Sequence, residues 1–181
     1  MIVEGEYVFD GPREIVYQLL QDPDVLSKAM PGAAKLVLVG DGAYEGSIRV
    51  GVGPVTAAEW KLSVALQDRV PPESYVMQVD SSGPVGFTRG AASVALLEVE
   101  DGSTVMRYRA DLQVGGKVAG IGQRLIDQVA KMMTKLGLDA LSKELRARLA
   151  GAPALEPGVA EPPGEAPSAA EPAPRPGGDP A

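Results

Sequence analysis

The stretch Gly115–Leu149, GGKVAGIGQRLIDQVAKMMTKLGLDALSKELRARL, decides the fold. It opens with a glycine-rich hinge, GGKVAGIG, and no proline interrupts the residues after that hinge. At 100° per residue from Val118, the residues Val118, Ile121, Leu125, Val129, Met132 and Leu136 fall within an arc of roughly 80°. Ile126 and Met133 widen that arc, and Arg124, Asp127, Lys131 and Lys135 lie opposite. The spacing predicts one long helix with a core-facing stripe and a solvated back. After Gly137 the stripe moves. Leu138, Leu141, Leu145 and Leu149 cluster roughly 180° away from it, flanked by Lys143, Glu144, Arg146 and Arg148.

Two arrangements satisfy that shift. In one the helix bends or breaks at Gly137, where glycine costs about 1 kcal/mol relative to alanine, and the leucines still pack on the domain. In the other the helix runs straight and its last turns project the leucines outward. From Val118 to Leu149 a straight helix spans about 48 Å, beyond the roughly 30 Å of a small domain. An exposed leucine stripe with basic flanks suits a membrane surface or a partner. On that second arrangement Leu138, Leu141, Leu145 and Leu149 form the membrane or partner surface.

Upstream of the hinge the period is two. Residues 2 to 10 alternate as a strand, stopped by Gly11-Pro12. Ile15, Val16, Leu19 and Leu20 then mark a short amphipathic helix, and Asp22-Pro23 starts a second through Val25, Leu26 and Ala29. From Ala33 onward strands return. The clearest has Trp60, Leu62, Val64 and Leu66 set against Glu59, Lys61, Ser63 and Gln67, a half-buried antiparallel strand with one wet face. Turn signals at Gly40-Asp41-Gly42, Pro71-Pro72, Gly83-Pro84 and Asp101-Gly102 fit a meander of hairpins. The VGVGPVT string (50–56) predicts a bulge or sharp bend that helps curl the sheet. A sheet with one apolar face must cover it, and the final helix is the only element long enough. The expected fold is therefore α+β. A curved antiparallel sheet of about six to seven strands wraps a long C-terminal helix, with two short helices after the first strand. This is a helix-grip arrangement over residues 1–149.

Composition narrows the function. The 181 residues contain no cysteine and no histidine, and aromatics make up 4%. That removes disulfides, thiol nucleophiles, Cys/His metal sites and the imidazole general base. A net charge of −7 argues against a nucleic-acid footprint. No apolar run reaches the roughly 18 residues of a membrane span. MIVEGEYVFD lacks the basic start of a signal peptide, so a cytoplasmic protein is expected. Residues 151–181 hold nine of the 16 prolines, eight alanines, five acids and one base. Such a segment buries too little apolar surface to offset its ordering entropy, so a disordered acidic tail is expected from residue 150.

Motifs for catalysis are weak. Gly120-Ile-Gly122 lacks the third glycine of a dinucleotide fingerprint and follows an antiparallel sheet. Asp22/Asp24 and Glu98/Glu100 read as turn or solvent-face acids. Arg107 and Arg109 occupy the polar face of their strand, where they pair with acids such as Glu98. The methionines Met30, Met77, Met106, Met132 and Met133 read either as ordinary core or as an adaptable cavity wall, since Met fills irregular space. The small-residue strand Gly90–Ala95 leaves volume opposite them.

Several strings resemble the G-subunit family of carbon monoxide dehydrogenase, part of the wider helix-grip superfamily of polyketide cyclase and lipid-transfer-like domains. They are LLQDPDVLSKAMPG (19–32), VGVGPV (50–55), PPESYVM (71–77), GFTRGAASVALLE (86–98) and VGGKVAGIGQRLIDQVAKMM (114–133). The chain departs from the family pattern at Leu136-Gly137-Leu138, where paired phenylalanines are frequent, and at Ala33, where cysteine is frequent. The resemblance implies a non-enzymatic accessory protein that links molybdenum carbon monoxide dehydrogenase to the inner face of the cytoplasmic membrane. It further implies an apolar cavity for an isoprenoid quinone or lipid. The expected lining is Leu26, Met30, Trp60, Leu62, Met77, Phe87, Met106, Tyr108, Ile121, Leu125, Val129, Met132 and Met133. The alternatives are a structural adaptor without a ligand and a small cyclase or hydrolase of the same fold.

Overall fold

Inward Val3, Gly5, Tyr7 and Phe9 alternate with exposed Ile2, Glu4, Glu6 and Val8 to build β1 (Ile2–Phe9), and Gly11-Pro12 ends it. Two short helices come after it, α1 (Arg13–Leu19) and α2 (Pro23–Ala29). Asp22 caps the second, its Oδ1 accepting the backbone N–H of Asp24 at 3.0 Å and of Val25 at 3.3 Å. That satisfies two of the N–H groups a helix start leaves free. Six strands come next: β2 (Ala33–Gly40), β3 (Ala43–Val52), β4 (Val55–Val70), β5 (Ser74–Gly83), β6 (Gly86–Glu98) and β7 (Thr104–Gly115). A 3-10 helix (Lys117–Ile121) leads into α3 (Gln123–Gly151). This computed structural model describes residues 1–30, 32–52 and 55–151. The expected acidic tail beyond Gly151 lies outside them, as do Gly53 and Pro54 of the anticipated bend.

The strands form one antiparallel sheet in the order β1-β7-β6-β5-β4-β3-β2. Each hairpin neighbour in sequence is a neighbour in space, except that β1 closes onto β7. Register shifts interrupt the β2–β3, β3–β4 and β4–β5 ladders, the last beside Asp68 at φ +46°. Such bulges raise the local twist and curl the sheet. Arg107 and Arg109 pair across the β1–β7 ladder with Glu6 and Glu4, their register partners, while Glu98 meets Arg13 at 3.7 Å.

The fully buried core lies at one end of the cup. Phe9, Val16, Leu19 and Leu145 have no exposed surface, and Tyr75, Leu96, Leu138 and Leu141 pack with them. This corrects the outward reading of the leucine stripe. Leu138, Leu141 and Leu145 are 8%, 6% and 0% exposed, and only Leu149, at 38%, reaches solvent. The helix neither breaks at Gly137 nor projects its leucines. It runs unbroken to Gly151, with Gly137 facing the Ala29 carbonyl oxygen of α2.

The first half of the expected stripe is out of phase as well. Gly122, at φ +102°, adopts a conformation that favours glycine and separates the 3-10 turn from α3. A count begun at Val118 therefore crosses a break. The inner side of α3 carries Ile126, Ala130, Met133, Thr134 and Gly137 ahead of the leucines, so Met132 and Leu136 are left 53% and 47% exposed.

Candidate ligand cavity

Away from that core, open space separates much of α3 from the floor of the sheet. Beneath its first half lie two adjoining apolar cavities. The larger, about 450 Å³, runs under α1 and α2 between Leu20, Leu26 and Tyr44 on one side and Met77, Val94, Met106 and Tyr108 on the other. The smaller, about 340 Å³, extends toward Trp60, Val50, Val114, Val118 and Ile126. Met30, Leu62, Ala130 and Met133 line both, so the two arms meet at those residues. A third opening of about 320 Å³, bounded by Met30, Ile48, Met133 and Gly137, lies between α3 and the α2–β3 side. A pocket of 300–1,000 Å³ is the size that takes a small organic ligand.

The local sequence explains the hollow. Inner positions of α3 that face the cavities are small or flexible, Ala130, Thr134 and Met133, while β6 contributes Ala92. None of these side chains reaches across. Of the thirteen expected lining residues, Leu26, Met30, Trp60, Leu62, Met77, Met106, Tyr108, Val129 and Met133 line the two arms. Phe87, Ile121, Leu125 and Met132 do not. Phe87 points out of the cup, its ring against Gly115 with the Arg89 guanidinium 5.1 Å from its centroid. Ile121 belongs to the 3-10 turn and Leu125 to the outer side of α3, both half-buried. Met132 is exposed. Sequence reasoning missed Tyr44 and Tyr75, although each shares the alternation phase of a strand already read as inward-facing. Tyr44 leads to Ile48, and Tyr75 to Met77.

The walls are nearly uncharged. Among the described residues the arms present no carboxylate, lysine or arginine, and their hydroxyls come from Tyr44, Tyr75, Tyr108, Thr134, Ser81 and Thr88. Burial pushes the Tyr75 hydroxyl well above the ordinary phenol range, and nearby Tyr17 and Tyr44 add to that. Tyr44 is raised by burial too, against the pull of Arg69. Both are neutral at any physiological pH. Among the described residues no group of three or more His, Cys, Asp or Glu could hold a metal ion.

The family model for the carbon monoxide dehydrogenase G subunit (CoxG) matches residues 5–146. The chain belongs to that family. The match takes in the whole cup, from β1 to the buried leucines of α3. Among solved structures, a conserved protein from Geobacillus kaustophilus is 30% identical, with a TM-score of 0.77 over 82% of this chain and 97% of that one. A START superfamily protein from Mycobacterium smegmatis superposes at TM-score 0.63 with 10% identity, covering 81% of this chain and 97% of its own. The Zhui aromatase/cyclase from Streptomyces sp. R1128 does so at 0.63 with 16% identity, over 83% and 98%. The last two likenesses carry the fold alone. No curated protein sequence matches the chain significantly. The CoxG chain thus has the helix-grip fold: a curved seven-stranded antiparallel sheet gripping a long C-terminal helix, with two short helices after β1. Among its described residues no helix is long and apolar enough to cross a membrane.

Proposed function

We propose that this CoxG chain is a non-enzymatic carrier that holds a lipid-like molecule, an isoprenoid quinone, beneath α3. It serves molybdenum carbon monoxide dehydrogenase at the inner face of the cytoplasmic membrane. The observation that carries this reading is the pair of joined apolar arms whose walls, among the described residues, hold no charged side chain. Burying a hydrocarbon chain there is favourable at about 25 cal/mol per Å² of apolar area removed from water. Among the described residues the wall gives a hydrolase or cyclase no carboxylate or lysine to act as acid or base, and the terminal ammonium of Met1, which borders the smaller arm, is held by the Leu112 carbonyl oxygen; this favours the carrier over the catalytic alternative. Family membership supports the link to the dehydrogenase.

The membrane-facing side in this reading is the outer face of α3, not its buried leucines. Met132 and Leu136 stand exposed there, beside the exposed Lys131 and Lys135. Apolar residues flanked by cations suit an anionic bilayer surface. The test is purification from the native host, then native mass spectrometry and solvent extraction. A co-purifying quinone or lipid at near one per chain is expected, and a chain that carries neither overturns the carrier reading. Vesicles containing anionic lipid, spun down with wild-type and Met132→Glu/Leu136→Glu protein, test the surface. The double variant is expected to lose most of its binding.

A further inference from the structure

The larger arm is not apolar at every point, and its exception lies under α1. Tyr17 of α1, Tyr44 of β3 and Tyr75 of β5 are 8%, 4% and 3% exposed. Tyr44 and Tyr75 are on the cavity wall, and the Tyr17 ring packs edge-on against Tyr75 with centroids 5.8 Å apart. Phenylalanine would fill the same space without a hydroxyl to satisfy. Burying a hydroxyl unpaired costs about 1–3 kcal/mol, so each of the three needs a partner.

The hydrogen-bond inventory is lopsided. Tyr44 donates to the Gln21 carbonyl oxygen at 2.7 Å. The Tyr17 hydroxyl and Gln21 Nε2 are buried without partners. Among the described residues the tyrosine hydroxyls that donate to protein groups are those of Tyr7 and Tyr44; Tyr75 does not. The Tyr17 hydroxyl, Gln21 Nε2 and the Tyr75 hydroxyl on the wall are thus left without protein acceptors among the described residues. The nearby cation is already committed, since Arg69 holds both carboxylate oxygens of Asp41 at 2.9 and 2.6 Å.

We propose that the Tyr44–Tyr75 end of the larger arm is a subsite for the neutral, hydrogen-bond-accepting head of an amphiphile, a carbonyl oxygen above all. The tail of that amphiphile lies along Met30 and Leu62 toward Trp60. This rests on the carrier reading and adds to it the chemistry and orientation of the ligand. A carbonyl accepts from the unpartnered Tyr75 hydroxyl on the wall and brings no hydrogen of its own to bury. A carboxylate would give up its hydration without gaining a counter-ion, which costs several kcal/mol. A plain hydrocarbon would leave the donors unpaired. Among the described residues the tail arm has only Ser81 and Thr88 as hydroxyl side chains in its lining.

Trp60 is the only tryptophan in the chain, so its fluorescence reads occupancy of the tail arm. Delipidated full-length protein is titrated with 2-tridecanone, tridecane and, at pH 8, dodecanoate. The ketone is expected to bind about tenfold more tightly than either of the others, the effect of one well-made hydrogen bond to a desolvated donor. Tyr75→Phe should erase that advantage and leave tridecane unchanged. Equal binding of ketone and alkane overturns the subsite and leaves the carrier reading standing, as does an advantage that survives Tyr75→Phe. Tightest binding by dodecanoate overturns the neutral head. If none of the three perturbs Trp60, the carrier reading fails and the subsite with it. The wild-type comparison alone decides the matter should Tyr75→Phe not fold.

Discussion

The two halves of α3 have the same fold and opposite surroundings. From Leu138 onward the helix is bolted down. Leu138, Leu141 and Leu145 pack with Phe9, Val16 and Leu19 in the core, and Arg148 reaches across to the Asp22 cap of α2. Before Gly137 the same helix roofs a void, touching it with Ala130, Met133 and Thr134. A void costs stability because its lining forgoes contacts and close packing. The bolted half explains how the hollow half is tolerated. Cohesion is concentrated at one end of the cup, so the other end is free to stay open for a ligand.

The sharpest way to break this contrast is Leu145→Ala. Leu145 is wholly buried, and truncating such a side chain costs about 2–5 kcal/mol. Met133→Ala on the roof should cost less than half of that, because Met133 already borders empty space. Urea melts of both variants read the difference. Equal losses would mean that the roof packs as tightly as the core and that the cavity collapses in solution.

Filling the void tests it from the other direction. Ala130 lines both arms, so Ala130→Phe pushes a ring into their junction. Overpacking a dense core costs about 1–3 kcal/mol, but here the ring has room. The expected change in stability is below about 1 kcal/mol, with ligand binding reduced at least tenfold. A fully stable variant that still binds 2-tridecanone would show that ligands do not pass the junction.

A smaller effect is expected at the bolt itself. Burial raises the Asp22 carboxyl, but the Arg148 hydrogen bond and the backbone N–H groups of Val25 and Asp24 outweigh it and hold it below its ordinary value of 3.8. With the folded pKa depressed, the stabilisation is complete above the ordinary value and is lost as pH falls through the folded one. Asp22→Ala should therefore cost about 1 kcal/mol at pH 7, the size of a lost helix cap. The gap to wild type should narrow below pH 4. A gap that stays constant down to pH 3 would show that the Asp22 charge contributes nothing.

How much of this was legible in the sequence depended on whether large residues marked the buried side. In the strands they did, and alternation placed Trp60, Leu62, Met77 and Met106 correctly. In α3 they did so consistently only after Gly137, where leucines meet a solid core; before it Ile126, Val129 and Met133 face inward but share the helix with exposed Met132 and Leu136. Over the hollow the rule inverts. The inner side carries Ala130, Thr134 and Gly137, small because α2 comes close and because the space is left empty, while Leu125, Met132 and Leu136 form the more conspicuous apolar stripe outside. Periodicity reads side-chain size, and a cavity is recorded in the sequence as missing size. The tyrosines escaped notice for a related reason. Tyr44 and Tyr75 sit in phase with the inward residues, but that the Tyr75 hydroxyl meets the cavity without a protein acceptor is something only the assembled fold reveals.

That inversion is open to the mildest substitutions of all. If Met132 and Leu136 contribute nothing to the core, Met132→Ser and Leu136→Ser should each change stability by no more than about 0.5 kcal/mol, the ordinary range for exposed positions. Neither should alter ligand affinity, since neither lines an arm. Losses approaching that of Leu145→Ala would mean that the outer stripe is packed against something in the native protein, such as a second chain. The denaturation midpoint would then depend on protein concentration. A small, concentration-independent change assigns the stripe to solvent in the free protein and leaves it available for the bilayer.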